Sequence, residues 1–161
     1  MPRRWCKTMN ATMLCFFLQE EVDSEGKRLK DQFASSERSF LHPMASTVTS
    51  NHEKEGFLKT IFANYTVIYA SFGNWFGNDF KQMKANFAEI VQEVYFEHYY
   101  LKNVMQKSLE RKEDTFLEYF MTKFENVIEN RAEETDLIHS FRFLSKLLNL
   151  HFKRKLGFCE I

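Results

Sequence analysis

The sequence predicts an all-α fold, a single bundle of about five helices with a long crossover loop after the first helix. Glycine (5) and proline (2) are scarce among 161 residues, whereas β-sandwiches and α/β folds need many turns. Hydrophobic residues make up 44% and charged residues 27%, a globular balance that argues against disorder. Apolar side chains also recur at spacings of three and four over long stretches, which is the helical period. The length fits one domain covering residues 1–161.

The first helix is predicted over residues 4–22, and it ends where Asp23-Ser24-Glu25-Gly26 supplies turn-forming residues. From Lys27 to Thr49 the periodicity disappears, while serine, threonine and Pro43 become frequent. A connection of roughly twenty residues in a compact domain is usually functional or a crossover. We therefore expect this loop to matter for function.

Two long helices are predicted next, over residues 53–72 and 79–109. Ser50 and Glu53 have capping-box spacing, and apolar residues then recur at helical intervals as far as Phe72. Asn78 or Asp79 is expected to cap the third helix, whose apolar stripe begins at Phe80.

The last two helices are predicted over residues 114–130 and 136–156. Glu113 and Asp114 lie at the positive end of the fourth helix, and the basic run Lys153–Lys155 lies in the last turn of the fifth. Gly157 is expected to end that helix. No strand alternation is long enough to predict a sheet.

Charge and hydropathy exclude several kinds of partner. The net charge is +0, which removes the overall attraction that a nucleic-acid-binding protein uses. No apolar run approaches the roughly 18–20 residues that span a bilayer, so we expect no membrane insertion. Basic residues followed by Ala11–Leu18 resemble a signal peptide, but Gln19-Glu20-Glu21 stands where small residues would mark cleavage. Either a signal peptide is already absent from this chain, or the protein is intracellular.

Motifs for catalysis and metal binding are absent from the sequence. There is no glycine-rich phosphate loop, Cys-x-x-Cys, His-Glu-x-x-His or Gly-x-Ser-x-Gly. None of the five histidines follows a glutamate by three residues, as a di-iron bundle requires. Spacing alone does not exclude Cys–His catalysis, because such partners meet only in the fold. We predict a protein without catalytic residues, metal or cofactor.

The cysteines and glycosylation sequons do not fix the compartment. Cys6 and Cys15 are roughly 13 Å apart on a helix, too far to bridge each other. Either meets Cys159 if the chain ends are neighbours, and free thiols are the alternative; Cys15 with Cys159 is the candidate disulfide. Asn10 and Asn64 begin Asn-x-Thr sequons and are candidate glycosylation sites of a secreted protein.

Several short stretches occur in the order found in one family of secreted signalling proteins. They are Leu29-Lys30-Asp31 followed by Phe40-Leu41-His42-Pro43, the run Phe57–Phe72, Trp75 with Asn78-Asp79, Val94-Tyr95, Tyr100–Val104, Leu109–Asp114, and Arg142. Over residues 14–156 the chain resembles a type I interferon of the beta-like kind, as a divergent, non-mammalian relative. The family's two-disulfide scheme is not carried over, because Arg28 and Ile138-His139-Ser140 replace its cysteine positions.

The resemblance implies a helical cytokine that binds two cell-surface receptor chains and starts antiviral signalling. It implies receptor contacts at Leu29 and Asp31 in the long loop and at Arg142 on the last helix. Lys146 lies one turn after Arg142 and is a plausible neighbour in that contact. Arginine and leucine on rigid elements are also residue types that anchor interfaces. On this basis we expect a secreted monomer that binds receptor chains.

One alternative stays open on the sequence alone. An intracellular helical protein-interaction module, viral or apoptosis-regulating, has the same helical pattern and tolerates free cysteines. A cleavable signal or glycan mass on Asn10 or Asn64 distinguishes the secreted protein from this module.

Overall fold

A computed structural model of the protein describes residues 7–29, 61–73, 76–110, 116–153 and 156–160. Its elements in chain order are α1 (Lys7–Leu18), β1 (Thr66–Ala70), α2 (Phe80–Glu97), α3 (Tyr100–Glu110), α4 (Phe116–Ile128), α5 (Glu134–Ile138), α6 (Ser140–Phe152) and β2 (Leu156–Glu160). Most of the described residues are helical, which agrees with the predicted all-α class. The structure adds one two-stranded parallel sheet. The predicted loop over residues 27–49 is described only as far as Leu29.

Helix α1 ends at Leu18, four residues before the predicted end. The carbonyl groups of Phe17 and Leu18 accept hydrogen bonds from the backbone of Ala63 and Tyr65 at 3.0 Å each. These bonds satisfy carbonyls that the end of a helix leaves unpaired. The chain then continues in an extended form, with Gln19 bridged to Tyr65.

The predicted second helix, residues 53–72, is wrong over residues 66–70, which form β1; residues 53–60 lie outside the described part of the chain. The strand is Thr-Val-Ile-Tyr-Ala, rich in β-branched and aromatic residues that favour strands. Four of its five residues are buried, with Tyr69 intermediate, as expected of a parallel strand covered on both faces. A short apolar run of this kind fits a helical or a strand period about equally well.

Strands β1 and β2 pair in parallel, with Thr66 opposite Leu156 and Ala70 opposite Glu160. Parallel strands require a long crossover connection, and the chain from α2 to α6 supplies it. The predicted fifth helix therefore ends early, at Phe152 instead of residue 156. Lys153 adopts a left-handed conformation (φ 52°) that ends α6, and Gly157 lies inside β2.

The predicted helix over residues 79–109 is two helices, α2 and α3, with a break at His98 and Tyr99. The start is as predicted, because Asp79 caps α2 by accepting from the backbone N–H of Gln82 at 2.7 Å. At the break, the backbone N–H of His98 bonds to the carbonyl of Tyr95, three residues earlier rather than four.

Of the two helices predicted after residue 110, the fourth agrees with the structure and the fifth differs from it. Helix α4 lies inside the predicted range 114–130, and Asn130 (φ 54°) ends that segment. The predicted fifth helix is divided at His139 into the short α5 and the longer α6. This division leaves Ile138 and His139 exposed at the end of α5, whereas Leu137 points into the core.

The core lies where β1, α2, α4 and α6 meet. Its least exposed large side chains include Tyr95, Phe124, Leu144 and Leu148, each 0% exposed. The rings of Tyr95 and Phe124 lie 5.1 Å apart, so α2 and α4 are joined by an aromatic contact. This core holds α4 and α6 side by side and fixes the surface between them.

Candidate functional site

A cavity of about 310 Å³ opens on the side of the molecule formed by α4, α5 and α6. It combines aromatic and charged side chains. Its lining residues are Tyr95, Tyr119, Phe120, Lys123, Val127, Asp136, His139, Arg142, Phe143 and Lys146. We call this region the α6 surface. It contains two of the four predicted receptor-contact residues.

The floor of the α6 surface is apolar. Phe120 from α4 and Phe143 from α6 are in edge-to-face contact with their ring centres 5.5 Å apart. Tyr95 lies beneath, donating from its hydroxyl to the carbonyl oxygen of Ser140 at 2.9 Å. Burial raises the pKa of Tyr95, so its hydroxyl stays protonated and keeps that bond.

One wall of the α6 surface is held by an ion pair. Lys123 Nζ lies 2.6 Å from Asp136 Oδ1 and 5.0 Å from the centre of the Tyr119 ring. The hydrogen bond to Asp136, followed by the one to Tyr119, raises the pKa of Lys123. The charge of Lys123 is therefore compensated within the protein, and the pair links α5 to α4.

Arg142 and Lys146 form the opposite, exposed wall. They lie four residues apart on α6 and so share one helix face. Neither side chain makes an ion pair with any other residue in the described part of the chain. This wall consequently carries two positive charges that no described carboxylate compensates. Such a surface binds anionic groups, and arginine binds carboxylates in a two-pronged geometry.

The third predicted contact residue, Leu29, lies elsewhere. It lines a different cavity of about 360 Å³, together with Glu20, His98 and Phe152 at the far end of α6. Arg142 and Phe152 are ten residues apart, or about 15 Å along the helix axis. The structure therefore does not bring Leu29 and Arg142 into one cavity. Asp31 lies outside the described residues.

The loop that carries Leu29 is attached to α6 through Gly26. This glycine has a positive φ of 73°, and a Cβ atom there would lie 2.7 Å from His151 Nε2. His151 donates from Nε2 to the Gly26 carbonyl oxygen at 2.8 Å. Lys107 also pairs with Glu25 at 2.6 Å, which together with Lys27 lowers the pKa of Glu25 to about 2.

The remaining predicted sites keep their status as predictions. Asn10 is exposed on α1, and Asn64 accepts a hydrogen bond from the Arg28 guanidinium at 2.7 Å. Cys15 is buried, 5% exposed, and α1 contacts both strands, so the elements that carry Cys15 and Cys159 are neighbours as the disulfide requires. Nothing in the described residues shows that bond.

Tyr119, Lys123, Asp136 and His139 belong to the α6 surface but were not predicted as site residues. Tyr119 and Lys123 are four residues apart on the predicted fourth helix and lie off its apolar stripe, a pattern that marks an exposed face. Asp136 and His139 had no such signal, because the sequence predicts a continuous helix there. Only the break at His139 shows that they lie on this surface.

No protein-family model matches the chain, and no curated protein or solved structure matches it either. Among the helices described, none is long and apolar enough to cross a membrane. Within the same residues, no group of three or more histidine, cysteine or acidic side chains is arranged to hold a metal ion.

Proposed function

We propose that the protein is a secreted helical cytokine of type I interferon kind that binds a two-chain cell-surface receptor and induces antiviral signalling. The observation that carries this proposal is the exposed charge of Arg142 on the last long helix, which no carboxylate among the described residues pairs with. Arg142 is the residue that the resemblance assigns to receptor contact, and its side chain lines a cavity that also contains aromatic rings.

The chemistry of the α6 surface suits one kind of partner. A carboxylate on a receptor chain is attracted by Arg142 and Lys146, and an apolar side chain next to it fits against Phe120 and Phe143. Charged hydrogen bonds next to a desolvated aromatic floor are typical of the few residues that dominate binding energy. The Lys123–Asp136 pair is compensated internally, so we assign it to shaping the wall and not to binding.

The runner-up, an intracellular helical interaction module, is favoured by one specific observation. The resemblance implies a helix across Phe57–Phe72, whereas residues 66–70 are strand β1. An interaction module of another family has no such requirement, and it uses the same α6 surface to bind an acidic partner. The two functions therefore share the site and differ in compartment and partner.

The experiment that tests the proposal is a reporter assay for interferon-stimulated transcription on cells of the source species. Purified, folded protein is expected to activate the reporter. Arg142→Ala should lower potency about ten- to thirty-fold, as loss of a charged interface anchor does. Circular dichroism and the thermal midpoint should stay unchanged, because the side chain is exposed.

Arg131→Ala is the matched control, because Arg131 is also exposed, pairs with Glu129 and lies outside the cavity. Its potency should equal that of the wild type. Folded wild-type protein without reporter activity contradicts the cytokine function. If the folded wild type instead binds an intracellular partner through Arg142, the function as an intracellular interaction module replaces the cytokine function.

A further inference from the structure

The exposed side of α2 carries acidic and aromatic side chains in one row. Glu89, Glu93 and Phe96 follow one another at spacings of four and three residues, so they share one face of the helix. Phe96 is 51% exposed, and its ring stacks on that of Tyr99, which is 41% exposed, with the ring centres 6.3 Å apart. Both glutamates are exposed as well. We call these four residues the α2 stripe.

The two carboxylates of the α2 stripe have no cationic partner among the described residues. Neither Glu89 nor Glu93 takes part in an ion pair there. Lys102 lies 5.9 Å from the centre of the Tyr99 ring, but it pairs with Glu125 at 2.9 Å. The stripe therefore presents two negative charges beside exposed rings, and a partner that covers it has to bring positive charge.

The α6 surface has the complementary pattern. Arg142 and Lys146 are also four residues apart on one exposed helix face, about 6 Å, which is the spacing of the two glutamates of the α2 stripe. They pair with no carboxylate among the described residues either. The cavity beside them has an aromatic floor, so it offers an apolar contact to an exposed ring such as that of Phe96.

The two surfaces of one molecule face in different directions. Glu93 and Tyr95 are two positions apart on α2, or about 200° around the helix axis. Tyr95 lies beneath the α6 surface, so the α2 stripe points away from it. Contact between the stripe and the α6 surface therefore needs two molecules.

We propose that the α2 stripe of one molecule binds the α6 surface of a second copy of this protein. Glu89 and Glu93 pair with Arg142 and Lys146 of the neighbour, and Phe96 covers the aromatic cavity. The occupant is a second copy because this chain supplies both halves of the contact, with equal numbers of opposite charges at the same spacing. The contact is head-to-tail, so it continues into a chain of molecules or closes into a ring.

This association covers Arg142, on which the proposed receptor binding depends. Self-association and receptor binding therefore exclude each other at the α6 surface. An interface of this size is weak, so the monomer expected from the sequence is the form at low concentration. The association does not depend on the receptor, and it is measured on the pure protein alone.

Sedimentation velocity between about 1 and 200 µM tests the proposal, a range suited to a small, transient interface. The wild type should shift from monomer toward larger species as the concentration rises, and about 0.5 M salt should reverse the shift because it screens the ion pairs. Phe96→Ser should weaken the association about tenfold. Phe80→Ser is the matched control, because Phe80 is 73% exposed on the same helix but about 180° from Glu89, and it should associate like the wild type.

A charge exchange tests the pairing of the two surfaces. Arg142→Glu with Lys146→Glu makes both surfaces of a molecule negative, and Glu89→Lys with Glu93→Lys makes both positive. Each double variant alone should associate at least about tenfold more weakly than the wild type. An equimolar mixture should associate again, since each surface then meets one of opposite charge. All four side chains are exposed, so circular dichroism should show each variant folded.

The double variant Glu110→Lys, Glu133→Lys is the control for net charge. Both glutamates are exposed outside the two surfaces, and the change in charge equals that of the positive stripe variant. This control should associate like the wild type; if it is monomeric, net charge and not the α2 stripe governs the association, which overturns the proposal. A wild type that stays monomeric at 200 µM overturns it as well, and a mixture that stays monomeric overturns the pairing of the surfaces.

Discussion

His98, at the break between α2 and α3, is a histidine whose pKa is lowered by burial. It is 1% exposed, and burial lowers its pKa to about 4, an effect that the backbone of Val67 partly opposes. Nδ1 lies 3.2 Å from the Tyr100 hydroxyl, whereas the buried Nε2 has no hydrogen-bond partner among the described residues. The ring is therefore neutral at neutral pH and unfavourable to protonate in the folded state.

This burial makes stability sensitive to mild acid. The unfolded chain takes up a proton at His98 near the ordinary histidine pKa of 6.5, and the folded chain does so only near 4. The unfolded state binds more protons between these values, so the free energy of unfolding falls as pH decreases from 6.5 to 4. The full difference is roughly 3 kcal/mol on the scale of 1.36 kcal/mol per pKa unit.

The substitution His98→Gln removes this titration. We expect the unfolding free energy of the variant to change less between pH 6.5 and 4 than that of the wild type, measured by urea denaturation at several pH values. His139→Gln is the control, since His139 is exposed, and it should keep the slope of the wild type. Equal slopes in the wild type and His98→Gln contradict the assignment.

At the scale of elements, the pairing of β1 with β2 is the feature that distinguishes this fold from the predicted one. Residues 66–70 take their hydrogen bonds from residues 156–160, about ninety positions away, instead of from within their own segment. In the predicted helix over the same residues, the backbone hydrogen bonds would instead lie within the segment itself. Removing the C-terminal segment therefore affects the two arrangements differently.

Deleting residues 156–161 is expected to leave the buried backbone of β1 without partners on that side. Each unpaired group costs about 1–3 kcal/mol, so the unfolding free energy should drop and the amides of residues 66–70 should lose protection in native-state hydrogen exchange. Deleting residue 161 alone is the control and should change neither quantity. Protection that survives the larger deletion contradicts the parallel pairing.

The helices that the sequence predicted best are those whose signals are local. Helix α4 has an amphipathic period, and α2 begins with an Asp79 cap that needs only its own first turn. The strand β1 was missed because its apolar run has no unique period and its partner is distant. The break at His98 was missed because the apolar stripe continues through it from Val94 to Leu101, and both residues are buried.

For the candidate site, the sequence identified Arg142 and Lys146, and both lie together on α6. It did not identify the aromatic floor, because Phe120 fits the apolar stripe of the fourth helix and Phe143 lies beside the stripe of the fifth. It also placed Phe80 on the apolar stripe of the third helix, whereas that side chain is 73% exposed at the start of α2. Periodicity reports which face a residue occupies, but not how far along a helix the neighbouring elements extend.

At the scale of the whole molecule, α5 separates two surfaces of different chemistry. The α6 surface is positively charged and suited to an acidic partner, while the groove between α5 and the first turns of α2, lined by Phe80 and Ile138, is mostly apolar. A net charge of +0 conceals this difference, because it averages over both. The proposed signalling function depends on the α6 surface alone, so substitutions of Phe80 or Ile138 in the groove should leave binding through Arg142 unchanged.

The central claim is that the α6 surface binds a partner on the cell surface. Saturable binding of fluorescently labelled protein to intact cells of the source species tests it most directly. Unlabelled wild type and Arg131→Ala should displace the label at equal concentrations, whereas the double variant Arg142→Ala, Lys146→Ala should require at least about tenfold more. Binding that does not saturate, or equal displacement by the double variant, would contradict the claim.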